Sequence, residues 1–532
     1  MENTWTTALE AENEKLKIEN IKLANENIEL RKLNEWYFQQ FKLAQHHRFG
    51  ASSEKYVSPD QLDLFNEAEV FADANLPEPT LEETITYTRK KRAGKRDELY
   101  DSLPTEQVIH ELPEDERICP ICGGELHACG HEVLRREIEV IPATVRAVEH
   151  VQTVYSCRDC EENRDEDLAV PMVKAPVPAP VIPGSGIASP SLLAFILSNK
   201  YVLALPFSRQ EQEFERQDII ISRQTMANWS IYSAINWLLH IFGLLLETLL
   251  SYDIAQADET NHQVICEPNR KATTKSYFWI YRTGIYAQHQ VVLFEYSETR
   301  AGKNPLEFLS GFTGYLNVDA YSGYYVLEGN GIILCGCWTH ARRKFVDVLK
   351  TVPKHLQKDS PATVGLAYCD QLFALERKFD EEGLSPEERY ERRLAESKPV
   401  ALAFFEWANN LSPVFTEKGK LREAIVYAVN QQSRLMNFLL DGRLEISNNR
   451  SERGIRPVAI GRKNWMFSFS PKGAEASAII YSIVETAKAN NLVPFKYLEF
   501  LFETLPNIPL DQFGDCLPWT PLAQQRCGVP PP

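Results

Sequence analysis

The stretch Ile254-Ala-Gln-Ala-Asp-Glu-Thr260 is a short apolar run that reaches a carboxylate, and it sets the fold of the segment around it. From residue 252 to residue 345, apolar and β-branched runs of this kind alternate with turns, which is typical of strands. The predicted strands cover residues 254–258, 276–281, 290–296, 315–318 and 332–335, and a short helix is predicted over residues 303–311.

Two of these predicted strands end in an aspartate. Asp258 closes the first strand, and Asp319 closes the fourth in Asn317-Val-Asp-Ala-Tyr321. If the two strands are neighbours, both carboxylates lie at one edge of a sheet. Three neighbouring strands, a helix and two further strands is the order of a ribonuclease-H-like α/β domain. A lone aspartate at a strand end is usually a turn or capping residue, so the pair needs a third observation.

A third carboxylate lies in a basic segment far downstream. Residues 445–464 read Glu-Ile-Ser-Asn-Asn-Arg-Ser-Glu-Arg-Gly-Ile-Arg-Pro-Val-Ala-Ile-Gly-Arg-Lys-Asn and place Glu452 at the start of a predicted helix. The neighbouring basic side chains are Arg450, Arg453, Arg456, Arg462 and Lys463. Such a setting suits a carboxylate that holds a divalent cation beside phosphates, which arginine binds in a bidentate manner. The alternative is a solvated basic helix edge, and the two upstream aspartates favour the metal interpretation.

Bulk composition limits the class of protein. The chain has 532 residues, enough for several domains, and its net charge of −16 argues against a wholly electrostatic DNA binder, although local basic surfaces remain compatible with it. No N-terminal stretch resembles a signal peptide. The most apolar run, residues 235–250, is shorter than the ~20 residues of a membrane-spanning helix, and we predict a buried helix there. We therefore expect a cytoplasmic protein without a membrane partner, in which the 11 cysteines are thiols or metal ligands.

The N-terminal region carries heptads. Leucines recur seven residues apart, and asparagines recur in the complementary core position: Leu9, Leu16, Leu23, Leu30 and Asn13, Asn20, Asn27, Asn34. This pattern is typical of a parallel two-stranded coiled coil, because buried amides pair only in register. We predict a dimerisation helix over residues 1–45 and a homodimer or higher oligomer; the alternative is one helix packed on its own chain. Residues 46–110 are predicted as a helical DNA-binding unit with a flexible basic arm at residues 89–96, although a solvated charge run is equally compatible.

Two pairs of cysteines predict a zinc site. Cys119-Pro-Ile-Cys122 and Cys157-Arg-Asp-Cys160 supply four thiolates for one structural zinc ion. The zinc-binding domain is predicted over residues 111–170. It is followed at residues 171–190 by a semi-rigid linker with six prolines.

The remaining segments are predicted to be mostly helical. Residues 191–250 form a helical domain in which Ser222 caps a helix with Arg223, Gln224 and Asn228 on its outside, as in a helix-turn-helix reader of DNA; a plain helical packing unit is the alternative. Residues 251–345 and 441–470 are predicted as two parts of one core. An all-helical insertion at residues 346–440 separates them, and residues 471–532 form a C-terminal helical region and tail.

The combination of these motifs resembles the insertion-sequence-66 family of bacterial DDE transposases over nearly the whole chain. The matching stretches are the heptads, Arg48-Phe-Gly50 with Ser52-Ser-Glu-Lys55, both cysteine pairs, and residues 200–229, 258–260, 318–324, 337–345 and 448–465. The resemblance implies that Asp258, Asp319 and Glu452 are the catalytic carboxylates of a ribonuclease-H-like core with a helical insertion. Thr339 and Ser451 stand where alanine is common in the family and Ser447 where aspartate is common, and none of these departures removes a proposed metal ligand.

The function that follows is a DDE transposase that binds the ends of a mobile DNA element and cleaves and joins strands by two-metal phosphoryl transfer. The three carboxylates would hold two magnesium ions, with manganese as an alternative. The DNA contacts are predicted at His340, Arg343, Arg453, Arg456, Arg462 and Lys463 as well as at the helix-turn-helix residues. Small accessory proteins and an association with the nucleoid are further expectations. The competing hypothesis is a catalytically inert zinc and helix-turn-helix DNA-binding regulator derived from a transposase.

Overall fold

The computed structural model describes residues 145–156, 172–411 and 419–529, and every structural statement below refers to these residues. Several predicted features lie outside them. These are the coiled coil of residues 1–45, the DNA-binding unit and basic arm of residues 46–110, and the zinc ligands Cys119, Cys122, Cys157 and Cys160.

A five-stranded mixed sheet forms the centre of the described structure. Its strands are β3 (Ile254–Gln263), β4 (Lys275–Thr283), β5 (Val292–Ser297), β6 (Gly314–Val318) and β7 (Ile332–Gly336). The order across the sheet is β5-β4-β3-β6-β7. Strands β5, β4 and β3 are antiparallel, whereas β3, β6 and β7 run parallel. The predicted α/β class is therefore confirmed, with β3 as the central strand and a short helix, α5 (Lys303–Phe308), before β6.

Strand β3 is longer than predicted. We expected it to close at Asp258, but it continues to Gln263. The reason is that β4 pairs with it antiparallel as far as Gln263 opposite Lys275, whereas the parallel pairing with β6 stops at Gln256 opposite Asn317. Asp258 therefore lies inside the strand, just beyond the end of its parallel pairing.

Helices cover the sheet and share one apolar core with it. Before β3 the chain forms α1 (Pro190–Tyr201), α2 (Phe207–Glu215), α3 (Arg223–Ser233) and α4 (Leu239–Leu250), with a π-helical turn at Ala234–Leu238 joining the last two. By length and composition, the run Arg223–Leu250 could cross a membrane, a test that core helices of soluble proteins also pass. Leu238, Ile241, Leu245 and Leu249 are fully buried in the core that also contains the sheet. One face of this run is therefore packed in the core, so the helix predicted over residues 235–250 is buried on one side, and about a third of its apolar window is buried in all.

The proline-rich segment before α1 is partly packed. A short strand β2 (Met172–Lys174) pairs with β1 (Val154–Ser156). Val181 and Ile182 are buried in the main core, and the indole Nε1 of Trp237 donates to the carbonyl of Val181 at 2.8 Å. This part of the predicted linker is therefore docked on the helices, because two of its apolar side chains are removed from water.

A second core lies between β7 and the helix that carries Glu452. The helices of this part are α6 (Trp338–Thr351), α7 (Pro361–Glu381), α8 (Pro386–Arg392), α9 (Lys398–Leu411), α10 (Lys420–Asn430) and α11 (Gln432–Met436). Trp338, Phe345, Phe404, Phe405 and Phe438 pack together at its centre. Trp338 and Phe345 belong to this core, so helix α6 runs across the domain boundary predicted between residues 345 and 346.

The return of the chain to the sheet is held by a buried guanidinium. Arg393 donates to the carbonyls of Phe438, Asp441 and Leu444 at 3.0, 3.1 and 2.9 Å. Its charge is paired with Glu376 at 2.7 Å, which is also buried. Burying a charge is costly unless it is paired and hydrogen-bonded, and both conditions are met here.

The C-terminal helices protect the outer strand of the sheet. Helix α12 (Asn449–Trp465) is followed by α13 (Pro471–Ala489), which packs on β5. The hydroxyl of Ser482 accepts from the backbone of Phe294 at 2.7 Å, and that of Thr486 accepts from Val292 at 3.0 Å. These hydroxyls satisfy an edge that would otherwise expose backbone donors. Helices α14 (Pro494–Thr504) and α15 (Pro521–Cys527) follow, and Phe513 and Cys516 between them are buried, so the predicted tail is packed.

Candidate functional site

The first two predicted carboxylates lie at the same level of neighbouring strands. The parallel register pairs Ile254 with Tyr315 and Gln256 with Asn317. Asp258 and Asp319 each lie two residues beyond that last pair, so they meet at one edge of the sheet. The backbone of Glu259 donates to Asp258 Oδ1 at 2.9 Å, and the backbone of Tyr321 donates to Asp319 Oδ1 at 2.8 Å.

The segment before α12 brings Glu452 to the same edge. The side-chain amide of Asn317 donates to the carbonyl of Glu445 at 2.6 Å. Asn448 spans the gap between elements, because its side chain donates to the carbonyl of Ala257 at 2.8 Å and its backbone donates to Cys337 Sγ at 3.2 Å. Helix α12 then begins at Asn449 and carries Glu452 in its first turn. The local sequence does not identify Asn317 and Asn448 as positioning residues, although they precede the predicted ligands Asp319 and Glu452 by two and four residues.

The charges of neighbouring carboxylates affect the pKa values of Asp258 and Asp319. Burial, followed by the charges of Glu259, Asp319 and Glu452, raises the pKa of Asp258 well above its usual range. Burial and the charge of Glu259 raise the pKa of Asp319 to about 6, against the opposing effects of His340 and Arg300. Mutual repulsion in a buried site is the situation that a bound cation relieves.

Two residues at the start of helix α6 meet the carboxylate of Glu452. His340 Nδ1 lies 3.7 Å from Glu452 Oε1, and an Nη atom of Arg343 lies 3.3 Å from Glu452 Oε2. Oε1 of Glu452 is buried and has no hydrogen-bond partner among the described residues. The structure thus brings His340 and Arg343 together with Glu452. An oxygen without a hydrogen bond is available for a further ligand.

A fourth carboxylate, Glu259, belongs to the site and was not predicted. Its side chain is only 2% exposed, forms an ion pair with Arg300, and accepts from the hydroxyl of Tyr324 at 2.6 Å. It follows Asp258 directly, and because strand alternation places adjacent side chains on opposite faces, the local pattern does not group the two. The contacts with Arg300 and Tyr324 are tertiary, and the local sequence gives no signal for them.

The basic residues of helix α12 divide into two groups. Arg450 donates to Glu445 at 3.0 Å and to Gln290 at 2.8 Å, and Arg462 donates to Asn261 and, at 3.4 Å, to Thr260. Arg462 thus holds the helix to β3, and Arg450 holds its start to the segments that contain Glu445 and Gln290, which corrects the expectation that all five cations surround Glu452. Of the remainder, Arg453 and Lys463 are exposed and Arg456 is half-buried. With about 100° of rotation per residue, Arg456 and Lys463 lie on the side of the helix that carries Glu452.

The predicted helix-turn-helix residues are on an exposed helix face. Ser222 caps helix α3 by accepting from the backbone of Thr225 at 3.1 Å, as predicted. Arg223, Gln224 and Asn228 are exposed, while Met226 and Trp229 face the core. Gln224 Nε2 donates to Asn228 Oδ1 at 3.0 Å, so the two amides form one polar unit.

Comparison with protein-family models gives four matches along the chain. The model described as transposase IS66 family matches residues 185–476, and the model described as IS66 C-terminal element matches residues 482–519. The zinc-finger binding domain of transposase IS66 matches residues 116–161, and a model described as transposase C of IS166 homeodomain matches residues 36–108. The first match covers the sheet, the helical part and helix α12.

The chain is also similar to proteins of Sinorhizobium fredii that are described as uncharacterized. It is 30% identical to protein y4jD over 493 residues, which is 90% of this chain and 92% of the relative. It is 32% identical to y4qI over 77% of this chain and 75% of the relative, and 28% identical to y4hP over 82% and 78%, respectively. No solved structure matches the chain.

Proposed function

Because the chain belongs to the transposase IS66 family, we propose that it cleaves and joins DNA strands at the ends of a mobile element, with Asp258, Asp319 and Glu452 as the catalytic carboxylates. The observation that carries the proposal is the convergence of these side chains from three separate stretches of sequence. The pKa of Asp258 responds to the charges of both Asp319 and Glu452, so the three share one electrostatic environment.

The donor set fits hard divalent cations. Two half-buried aspartates of raised pKa and a glutamate oxygen without a hydrogen bond offer carboxylate oxygens, which magnesium and manganese prefer. Asp258, Asp319 and Glu452 would hold the ions. When bound, a magnesium pair stabilises the attacking and leaving oxygens of an in-line phosphoryl transfer.

The sheet order supports a ribonuclease-H-like core for this site. An antiparallel β5-β4-β3 unit is followed by β6 and β7 in parallel with β3, and the two aspartates lie on the adjacent strands β3 and β6. We propose that the helical part between β7 and helix α12 is an insertion in this core, since it has an aromatic core of its own.

The surrounding residues of the chain supply positioning and charge. Arg343 and His340 orient Glu452, and in the proposed complex they lie next to the scissile strand. Arg453, Arg456 and Lys463 contact phosphates along helix α12, whereas Arg462 holds that helix against β3. Arg223, Gln224 and Asn228 form the face that reads the element end, because exposed amides and a guanidinium on one helix match base edges in the major groove.

Further parts of the proposal concern assembly. The zinc-finger match covers Cys119, Cys122, Cys157 and Cys160, which we propose bind one structural zinc ion. We also propose a homodimer or higher oligomer through residues 1–45, action on DNA in the cytoplasm at the nucleoid, and small accessory proteins as partners. Paired element ends would then be processed together.

A magnesium-dependent strand assay on the element's own ends tests the proposal. The wild-type chain should nick these ends and join them to target DNA, and Asp258→Asn should abolish both reactions while end binding persists. Joining by Asp258→Asn would overturn the metal assignment. Specific end binding without any nicking by the wild type would favour the inert DNA-binding regulator instead.

A further inference from the structure

Three different metal-binding side chains meet beside the proposed catalytic carboxylates. Cys337 directly follows strand β7, His340 lies in the first turn of helix α6, and Glu452 lies in the first turn of helix α12. One ligand atom from each, a sulfur, a nitrogen and an oxygen, lies within 4.8 Å of the other two. The Cys-x-x-His spacing places sulfur and imidazole on one helical turn, and Glu452 closes the group from another element.

Two donor atoms in this group have no hydrogen bond. His340 Nδ1 and Glu452 Oε1 are both buried, 3.7 Å apart, and without a hydrogen-bond partner among the described residues. An unpaired buried polar atom is costly, so a pair of them facing each other is unexpected in a purely structural contact. Arg343 contacts the other oxygen, Oε2, and leaves Oε1 directed at the imidazole.

One of the three ligand separations, between the imidazole and the carboxylate, is close to that of a tetrahedral metal site, and the sulfur lies within 4.8 Å of both. With metal–nitrogen and metal–oxygen bonds of roughly 2.0–2.2 Å, tetrahedral ligand atoms lie about 3.4 Å apart. The separation of 3.7 Å between His340 Nδ1 and Glu452 Oε1 therefore needs a shift of only a few tenths of an ångström. Cys337 Sγ accepts a hydrogen bond from the backbone of Asn448 at 3.2 Å, and the residue is 1% exposed.

The chemistry of the donors selects a different metal from that of the catalytic pair. A sulfur, an imidazole nitrogen and a carboxylate oxygen are typical ligands of zinc and poor ligands of magnesium, which prefers oxygen and water. We propose that Cys337, His340 and Glu452 bind one zinc ion, separate from the cysteine-pair site, and that this ion withdraws Glu452 from the magnesium pair. Binding releases the thiol proton of Cys337 to solvent, leaving a fourth coordination position for water.

The expected consequence is zinc inhibition of the reaction, and this part rests on the function proposed above. Zinc and magnesium compete for the same carboxylate, so excess magnesium should relieve the inhibition. The site would hold the enzyme inactive wherever free zinc is abundant. Binding of zinc, however, can be measured without any strand transfer.

Cobalt(II) is the probe for binding, added to the full-length chain with its cysteine-pair site already loaded with zinc. Cobalt at the carboxylates gives no thiolate band, so the wild type should show a thiolate-to-cobalt charge-transfer band that saturates at one equivalent. Cys337→Ser should lose the band and that equivalent, and His340→Gln should weaken uptake by about 10- to 100-fold. Cys266→Ser, which changes an exposed cysteine, is the matched control and should behave as wild type. Circular dichroism and thermal unfolding establish that each variant is folded.

The second measurement is strand transfer at fixed magnesium with increasing zinc, expressed for each variant relative to its own zinc-free rate. Half-inhibition of Cys337→Ser should require at least about tenfold more zinc than half-inhibition of the wild type. Absence of the cobalt equivalent in the folded wild type would overturn the site itself. A cobalt band without zinc inhibition would overturn the withdrawal of Glu452. Failure of the proposed function is seen separately, as strand joining by Asp258→Asn.

Discussion

Asn448 donates its side-chain amide to the carbonyl of Ala257, 2.8 Å away, and so joins the residue before Asp258 to the start of the helix that carries Glu452. Both residues are fully buried, and the bond links strand β3 to the N-terminus of helix α12. Glu452 therefore depends on a tertiary hydrogen bond for its place, in addition to the helix on which it lies.

Asn448→Ala should separate these two elements. We expect the free energy of unfolding to fall by about 1–3 kcal/mol, because a buried carbonyl loses its donor, and strand transfer to fall by about 10- to 100-fold. Urea denaturation and initial rates measured well below the melting temperature check the two effects. Asn330→Ala is the control, since it removes an exposed bond of the same type, from Nδ2 to the carbonyl of Val326 at 3.0 Å. Wild-type rates in Asn448→Ala would contradict the positioning role.

Replacing any of the three carboxylates by its amide should abolish chemistry and spare binding. Asp258→Asn, Asp319→Asn and Glu452→Gln each remove a proposed metal ligand, and loss of roughly 4 kcal/mol of transition-state stabilisation lowers the rate about 10³-fold. Strand-transfer rates and end-binding affinity are measured on the same preparations. Glu381→Gln makes the same chemical change at an exposed position of helix α7 and should leave both unchanged. If one of the three amides retains full activity, that residue is not a ligand.

Stability of the metal-free protein should depend on pH through Asp319. Its pKa of about 6 in the folded state lies above the ordinary aspartate value, so the folded protein binds more protons than the unfolded chain between about pH 4 and pH 6. The stability from this group is therefore present at low pH and is lost as pH rises through about 6. Magnesium needs the ionised carboxylate, so the rise in melting temperature on adding magnesium should grow over the same interval. Asp319→Asn should reduce both trends, and Asp258, whose pKa is also raised, should account for what remains. A magnesium effect independent of pH would contradict the assignment.

Arg223→Ala should weaken binding to the element end without changing stability. Its side chain is 70% exposed, and loss of one good base or phosphate contact costs about 1–3 kcal/mol, which is up to about a hundredfold in affinity. Arg216→Ala is a matched control, because that side chain is 68% exposed in the preceding loop and paired with Glu213. Fluorescence anisotropy with labelled end DNA measures both. Equal affinities for the two variants would argue that helix α3 is a packing unit only.

The sheet could be predicted from sequence because its strands consist largely of apolar residues that become buried. The second half of β3 could not, since Glu259, Asn261 and Gln263 are residue types that local patterns assign to loops. Antiparallel pairing with β4 overrides that preference. The sequence does not determine that β3 and β6 are adjacent, because two strands and a helix separate them along the chain.

The candidate site shows the same division. The local setting of Asp258, Asp319 and Glu452, at two strand ends and in a basic helix, is enough to predict them as ligands. The partners of those residues came only from the structure. The contact of Glu259 with Arg300 and the burial of Cys337 depend on how distant segments pack, and local sequence does not record that packing. The internal roles of Arg450 and Arg462 were missed for this reason too, since a basic helix looks alike whether its cations face water or the sheet.

The guanidinium of Arg393 connects the helical segment to the part of the chain that returns to the sheet. Its hydrogen bonds to three carbonyls fix the chain a few residues upstream of Glu445. The helical segment therefore supports the position of Glu452. A variant in which a short loop replaces the helices between β7 and α12 would lose these hydrogen bonds. We therefore expect length changes at this junction to displace Glu452.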